Sequence, residues 1–179
     1  MLFNTFSFTF IFLPIVLAVC FTLKKLKKNS IYYCFLILSS LFFYSFLFPP
    51  YIFLIITSIL FNFYLAKILI KLYQPTKRLI LFLIAIALNL SLLIYYKYFN
   101  FLIENLNFIF SLKIKENEII LPLAISFFTF QQIAFITSVY KNEIKEFKII
   151  KYFLFISFFP QLIAGPIVKF KEFYPQISG

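Results

Sequence analysis

Histidine and tryptophan are absent from this chain of 179 residues, and glycine and cysteine occur twice each. Without an imidazole the chain has no side chain that titrates near neutrality by default, which removes the commonest general base and metal ligand. The six acidic residues fall in connections, on one amphipathic stretch or after the last apolar run. None is paired at a spacing suited to two catalytic carboxylates or a metal site, so no residue is assigned a catalytic or metal-binding role. Cys20 and Cys34 lie inside apolar runs, where a thiol behaves as a small hydrophobe, and imply no disulfide. Leu17-Ala18-Val19-Cys20 faintly resembles a lipoprotein cleavage box. Its charge order is reversed, however, because no Lys or Arg precedes the apolar run and Lys24 to Lys28 follow it.

Charge is scarce too. Charged residues make up 13% and hydrophobic residues 63% of the chain, and mean hydropathy is +0.99, whereas soluble domains are about a quarter charged and about half apolar. These values predict an all-α, polytopic integral membrane protein. A span needs about 20 apolar residues to cross roughly 30 Å of hydrocarbon. Five runs qualify: Phe3 to Leu23, Ile31 to Phe48, Tyr51 to Ile70, Leu79 to Tyr96 and Ile119 to Tyr140. A sixth, Tyr152 to Val168, is interrupted, giving five or six transmembrane helices in one membrane domain over 1–179. Pro49-Pro50 forces a tight hairpin between the second and third runs, since neither residue can continue a helix.

The net charge of +11 does not indicate a nucleic-acid partner, because the basic residues are spread by sidedness. The stretches Lys24 to Lys28, Lys67 to Arg78 and Lys141 to Lys151 each hold four Lys or Arg. Lys97, Lys113 and Lys115 fall on the other side. Under the positive-inside rule the first three connections are cytoplasmic and the N-terminus is outside. Lys169 and Lys171 leave the last run open: their charge favours the cytoplasm, while six alternating spans would place them outside.

Between the fourth and fifth runs, Lys97, Asn100, Glu104, Asn107 and Ser111 recur at intervals of three and four. That places them within about 80° of a helix circumference. The segment reads as a helix lying in the outer interface, the alternative being a plain extension of the fourth span.

Two strings stand out against the apolar background. In Phe158 to Ile167, Pro160, Gly165 and Pro166 break any straight helix around the polar Gln161, and such backbone survives at membrane depth only where protein or water covers it. The segment is therefore broken or re-entrant. In the fifth run, Ser126, Thr129 and Gln132 share one stripe and Gln131 lies on another side. An unpaired amide costs about 4 to 8 kcal/mol in alkane, so both glutamines are expected to face protein or water. Gln131, Gln132 and Gln161 are candidate path-lining amides, with Ser126 and Thr129 as supporting hydroxyls and Lys169 as a contact for an anionic group. Asn62 and Asn89, single amides in apolar spans, read as links between helices.

At these residues the sequence resembles the membrane-bound O-acyltransferases, in the bacterial branch that holds the alginate and peptidoglycan O-acetyltransferases. The resemblance covers nearly the whole chain. It is carried most specifically by Pro122 to Gln132 and Phe158 to Ile167, and more weakly by Met1 to Asn4, Ser40 to Tyr44, Ser58 to Asn62, Tyr96 to Phe101 and Lys171 to Gln176. It implies a multi-helix enzyme of the cytoplasmic membrane, with a funnel or tunnel through which an acetyl group passes. The donor would be cytoplasmic acetyl-CoA, and the acceptor an extracytoplasmic hydroxyl of a cell-wall polysaccharide or exopolysaccharide. A periplasmic esterase-like partner is also implied.

Such enzymes centre on an intramembrane histidine, which this chain lacks. The resemblance therefore implies an N-terminal part, truncated before the histidine-bearing region and inactive alone, that works with a C-terminal half or a full-length homologue. Ala66 and Ala124 stand where Gly is common in the family, Ser138 where Asp is usual and Lys169 where Arg is usual. Two rivals are a non-catalytic membrane scaffold and a small transporter built on a broken helix.

Overall fold

The computed structural model describes residues 5–26, 29–47, 49–115, 119–162, 165 and 168–178, and among them every regular element is a helix. The first helical run, Ser7–Lys25, opens as a π-helix over Ser7–Phe12 and continues as α1, Leu13–Lys25. In the π stretch the Leu13 N–H reaches back to Phe8 O. Pro14 follows, with no N–H and a ring that would crowd the Phe10 carbonyl of a tighter helix, so the wider turn accommodates it. Then come α2, Asn29–Leu47, α3, Tyr51–Lys71, and α4, Pro75–Leu93. A π turn, Ile94–Tyr98, joins α4 to α5, Phe99–Phe110. The remaining helices are α6, Ile125–Tyr140, α7, Ile149–Ser157, α8, Phe159–Leu162, and α9, Phe170–Ser178.

Four runs among the described residues are long and apolar enough to cross a membrane: Ser7–Lys25, Asn29–Phe46, Tyr51–Lys71 and Pro75–Phe110. They match the first four apolar runs of the sequence, and Pro50 caps α3 after the expected turn. The fourth run has 36 residues, about 54 Å of helix, well beyond the roughly 30 Å of a hydrocarbon core. The amphipathic segment thus grows out of α4 through the π turn as α5. Ile103 is its one buried residue, while Phe101, Phe108, Ile109 and Phe110 are exposed.

The fifth apolar run differs from its expected form. The apolar run opens at Ile119, but α6 begins at Ile125 and Pro122 sits in the turn before it. The reason is Ala124, whose φ of 57° is left-handed and cannot continue a right-handed helix. Non-helical backbone here needs partners, and side chains of two other helices provide them. Tyr44 Oη donates to Leu123 O at 3.0 Å and Tyr51 Oη donates to Ile120 O at 2.6 Å. From there α6 packs against α3, α4 and α7. At its far end the chain's sole arginine, Arg78, donates through Nη2 to Val139 O at 3.0 Å, Tyr140 O at 2.8 Å and Asn142 Oδ1 at 2.6 Å. A cation on the last carbonyls also complements the helix dipole.

The last run is broken where the sequence places the break. α7 has nine residues, about 14 Å, and ends where Phe158 turns extended at φ −57°, ψ 107°. The next N–H, of Phe159, donates to Ser40 Oγ at 3.2 Å, while Ser40 Oγ donates to Leu36 O at 2.8 Å. The Phe159 ring wedges between α2 and the first helical run, its centroid 5.3 Å from Phe12 and 5.5 Å from Phe43. The chain then turns back. Phe170 and Phe173 of α9 each lie 5.3 Å from the Phe155 ring of α7, and Lys171 Nζ meets a Glu143 carboxylate oxygen at 3.3 Å. The segment therefore returns to the end it left, beside the 141–148 connection. It re-enters rather than crosses, and Lys169 and Lys171 join the basic end of the bundle.

Candidate functional site

Three helices bring amides together in the middle of the bundle. Asn62 of α3 and Asn89 of α4 form a reciprocal pair: Asn62 Nδ2 donates to Asn89 Oδ1 at 3.1 Å and Asn89 Nδ2 donates to Asn62 Oδ1 at 2.6 Å. Gln132 of α6 joins through Oε1, which accepts from Asn62 Nδ2 and, at 2.8 Å, from Ser58 Oγ. Asn62 and Asn89 also bond back along their own helices, to Ser58 O at 2.9 Å and Ala85 O at 2.8 Å. These are the helix-linking roles the sequence suggested for the two asparagines. Ser58, a hydroxyl one turn before Asn62, enters the sequence reading only within a weak stretch of resemblance.

The other candidates spread along α6 and the break. Gln131 is 1% exposed, and neither its Oε1 nor its Nε2 has a hydrogen-bond partner among the described residues. The Gln132 Nε2 and Thr129 Oγ1 atoms are likewise buried and unpartnered, and so are Tyr152 Oη and Ser157 Oγ of α7, two groups that sequence reasoning missed. Tyr152 lies against α6, its ring centroid 4.3 Å from that of Phe135, one helical turn from Gln131. Leaving such a group unpaired inside a protein costs about 1 to 3 kcal/mol. Several such groups on α6 and α7 mark an interior arranged for something other than stability alone. Ser126 is half-buried at the start of α6.

At the break, Gln161 is buried and Pro160 is exposed. The Gly165 N–H donates to Gln161 O at 3.2 Å. A Cβ on Gly165 would sit 2.7 Å from Gln161 Cα, so glycine is required for the approach. Pro166 lies outside the described residues.

Lys169 belongs to a different place. It is exposed, and with Lys141, Glu143, Thr137 and Ser138 it lines a cavity of about 220 Å³ at the basic end of α6. Hydrogen bonds from Lys171 and from Ser138 hold the Glu143 carboxyl below the ordinary carboxylate range. A larger cleft, about 660 Å³, opens between α3 and α4 over Ser58, Asn62 and Asn89. Among the described residues no group of His, Cys, Asp or Glu is placed to hold a metal ion.

The chain is 42% identical to the peptidoglycan O-acetyltransferase of Helicobacter pylori over 99% of its own length. It is 29% identical to proteins named probable alginate O-acetylase AlgI in Pseudomonas putida and Pseudomonas aeruginosa, over 100% and 99% of its length. It spans 39%, 37% and 35% of the lengths of those three relatives. No family model and no solved structure matches the chain.

Proposed function

Because the chain belongs to the membrane-bound O-acyltransferases, in the branch of these peptidoglycan and alginate relatives, we propose that it forms the N-terminal, path-walling part of a membrane O-acetyltransferase. The complete enzyme moves an acetyl group from a cytoplasmic donor, acetyl-CoA, to a hydroxyl of an extracytoplasmic cell-wall polysaccharide or exopolysaccharide. It sits in the bacterial cytoplasmic membrane with the N-terminus outside, as the basic connections favour. The observation that carries this reading is Gln131, an amide 1% exposed with both polar atoms unpartnered at the centre of α6. Its N–H groups are suited to an acyl carbonyl oxygen, which gains charge as a tetrahedral centre forms. Gln132 and Gln161 are further path-lining amides, Ser126 and Thr129 support them, and Pro160, Gly165 and Pro166 are the helix break that shapes the path. Lys169 meets an anionic group of the donor at the basic end.

The chain has no histidine, so a base of near-neutral pKa comes from a C-terminal half or a full-length homologue, and this part is inactive alone. A periplasmic esterase-like partner completes delivery to the polymer. The absence of histidine also favours a second reading, a non-catalytic scaffold that assembles with a full-length enzyme. The test is co-expression with the C-terminal part of a homologous enzyme in a strain lacking its own peptidoglycan O-acetyltransferase, with cell-wall acetate measured after mild base release. Acetylation that needs both parts and falls on Gln131→Leu or Gln161→Leu supports the first reading. Undiminished acetylation in both variants counts against the amide roles.

A further inference from the structure

The positive-inside rule counts Lys and Arg alike, yet one connection ends on the chain's sole arginine. Arg78 is half-buried at the start of α4, and the three bonds from its Nη2 all land on the turn that ends α6: Val139 O, Tyr140 O and Asn142 Oδ1. Its guanidinium carbon lies 5.5 Å from the centroid of the Tyr140 ring. That ring in turn stacks on Phe82 of α4 at 4.3 Å. Arg78 Nε is buried with no partner among the described residues, a cost that sidedness alone does not require.

The turn that Arg78 grips leads into the basic-end cavity. Asn142 has a φ of 58°, a left-handed conformation that reverses the chain, and its N–H donates to Val139 O at 3.0 Å. The next N–H, of Glu143, donates to Ser138 O at 2.9 Å. Glu143 is thereby folded back beside α6, where its carboxylate meets Lys171 Nζ of α9 at 3.3 Å. Lys141 and Glu143, the two neighbours of Asn142, both line the cavity of about 220 Å³ that Lys169 lines. Arg78 is outside that lining. It holds the turn from α4, while Lys171 holds it from α9.

We propose that Arg78 is a positioning residue for the acetyl donor. It pins the 140–143 turn to α4, and so keeps Lys141 and Glu143 in place beside Lys169 around the pocket for the donor's anionic group. This rests on the reading that Lys169 meets that group. A turn fixed before binding spares the donor the cost of ordering it. Because Arg78 acts through the turn and not on the acetyl group, its loss weakens donor binding and leaves the transfer step alone.

The test uses the two-part enzyme in inverted membrane vesicles, with labelled acetyl-CoA varied outside and label counted in the base-labile product. Arg78→Gln is expected to raise the donor KM about 10-fold, the lower end for a lost charge-assisted hydrogen bond, with kcat within about 2-fold. Asn142→Gly keeps the left-handed backbone, removes the Oδ1 acceptor and also raises KM; added to Arg78→Gln it contributes less than it does alone. Lys77→Gln removes the same charge from an exposed neighbour and leaves KM within about 2-fold. In the Cys20→Ser, Cys34→Ser chain carrying Glu143→Cys and Lys171→Cys, disulfide formation slows when Arg78→Gln is added, a readout independent of activity. An unchanged KM in Arg78→Gln beside a raised one in Lys169→Gln overturns the proposal and leaves the donor reading standing. An equal rise in Lys77→Gln, a fall in kcat with KM unchanged, or undiminished cross-linking also overturns it. No rise in Lys169→Gln removes the donor reading and the proposal with it.

Discussion

Lys171 of α9 and Glu143 of the 141–148 connection form an ion pair at 3.3 Å, and that contact fixes the sidedness of the last segment. Residues 28 positions apart in sequence, separated by a broken apolar run, meet at one end of the bundle. Cysteines at Glu143 and Lys171, in a Cys20→Ser, Cys34→Ser background, are expected to cross-link under mild oxidation in native membranes. Failure to cross-link, with the two sites labelled from opposite sides by an impermeant maleimide, would refute the re-entrant course.

The same pair gives a pH dependence. The Glu143 pKa is lowered in the fold, first by its hydrogen bond with Lys171 and then by that with Ser138. A lowered carboxyl contributes stability above the ordinary glutamate range, near 4.3, and loses it as pH falls through the depressed value. Hydrogen exchange in α9 is expected to be flat from neutral pH down to about 5 once corrected for intrinsic rates, and to accelerate below about 4. Glu143→Gln removes the acid step.

Gly165→Ala places a methyl group 2.7 Å from Gln161 Cα, so backbone must move. A loss of about 1 to 3 kcal/mol is expected, read by denaturant titration in detergent. O-acetylation by the reassembled enzyme falls with it.

Ala124 is the opposite case. At φ 57° a side chain carries about 1 to 2 kcal/mol of strain, and glycine does not. Ala124→Gly is expected to stabilise the protein by roughly 1 kcal/mol, after the entropy glycine adds to the unfolded chain. An unchanged or lowered unfolding midpoint would show that the turn relaxes without it.

Replacing either asparagine of the Asn62 and Asn89 pair strands its partner. Asn62→Leu and Asn89→Leu are each expected to destabilise by about 1 to 3 kcal/mol, and the double variant by less than their sum. Gln131→Leu, at an amide with no partner to strand, should leave stability unchanged or raised while acetylation falls. Parallel losses of stability and activity there would assign Gln131 a structural role instead.

Much of this was legible in the residue order. The four long spans, the Pro49-Pro50 turn, the interruption at Phe158 to Gly165 and the burial of Gln131 and Gln132 all follow from one solvent rule. Hydrocarbon admits only apolar side chains and self-satisfied backbone, so composition marks where the chain crosses and where it needs shelter. Hidden from that rule was which helices lie side by side beyond that one hairpin. Ser58, Asn62 and Gln132 meet across 74 and 70 positions, Asn62 and Asn89 across 27, and Tyr44 reaches Leu123 across 79. Periodicity places a side chain on a face but does not choose the partner of that face. Packing made that choice: it set Ala124 in a left-handed turn, bonded Asn62 and Asn89 to each other and to Gln132, and folded the last run back to the basic end through the contact of Lys171 with Glu143.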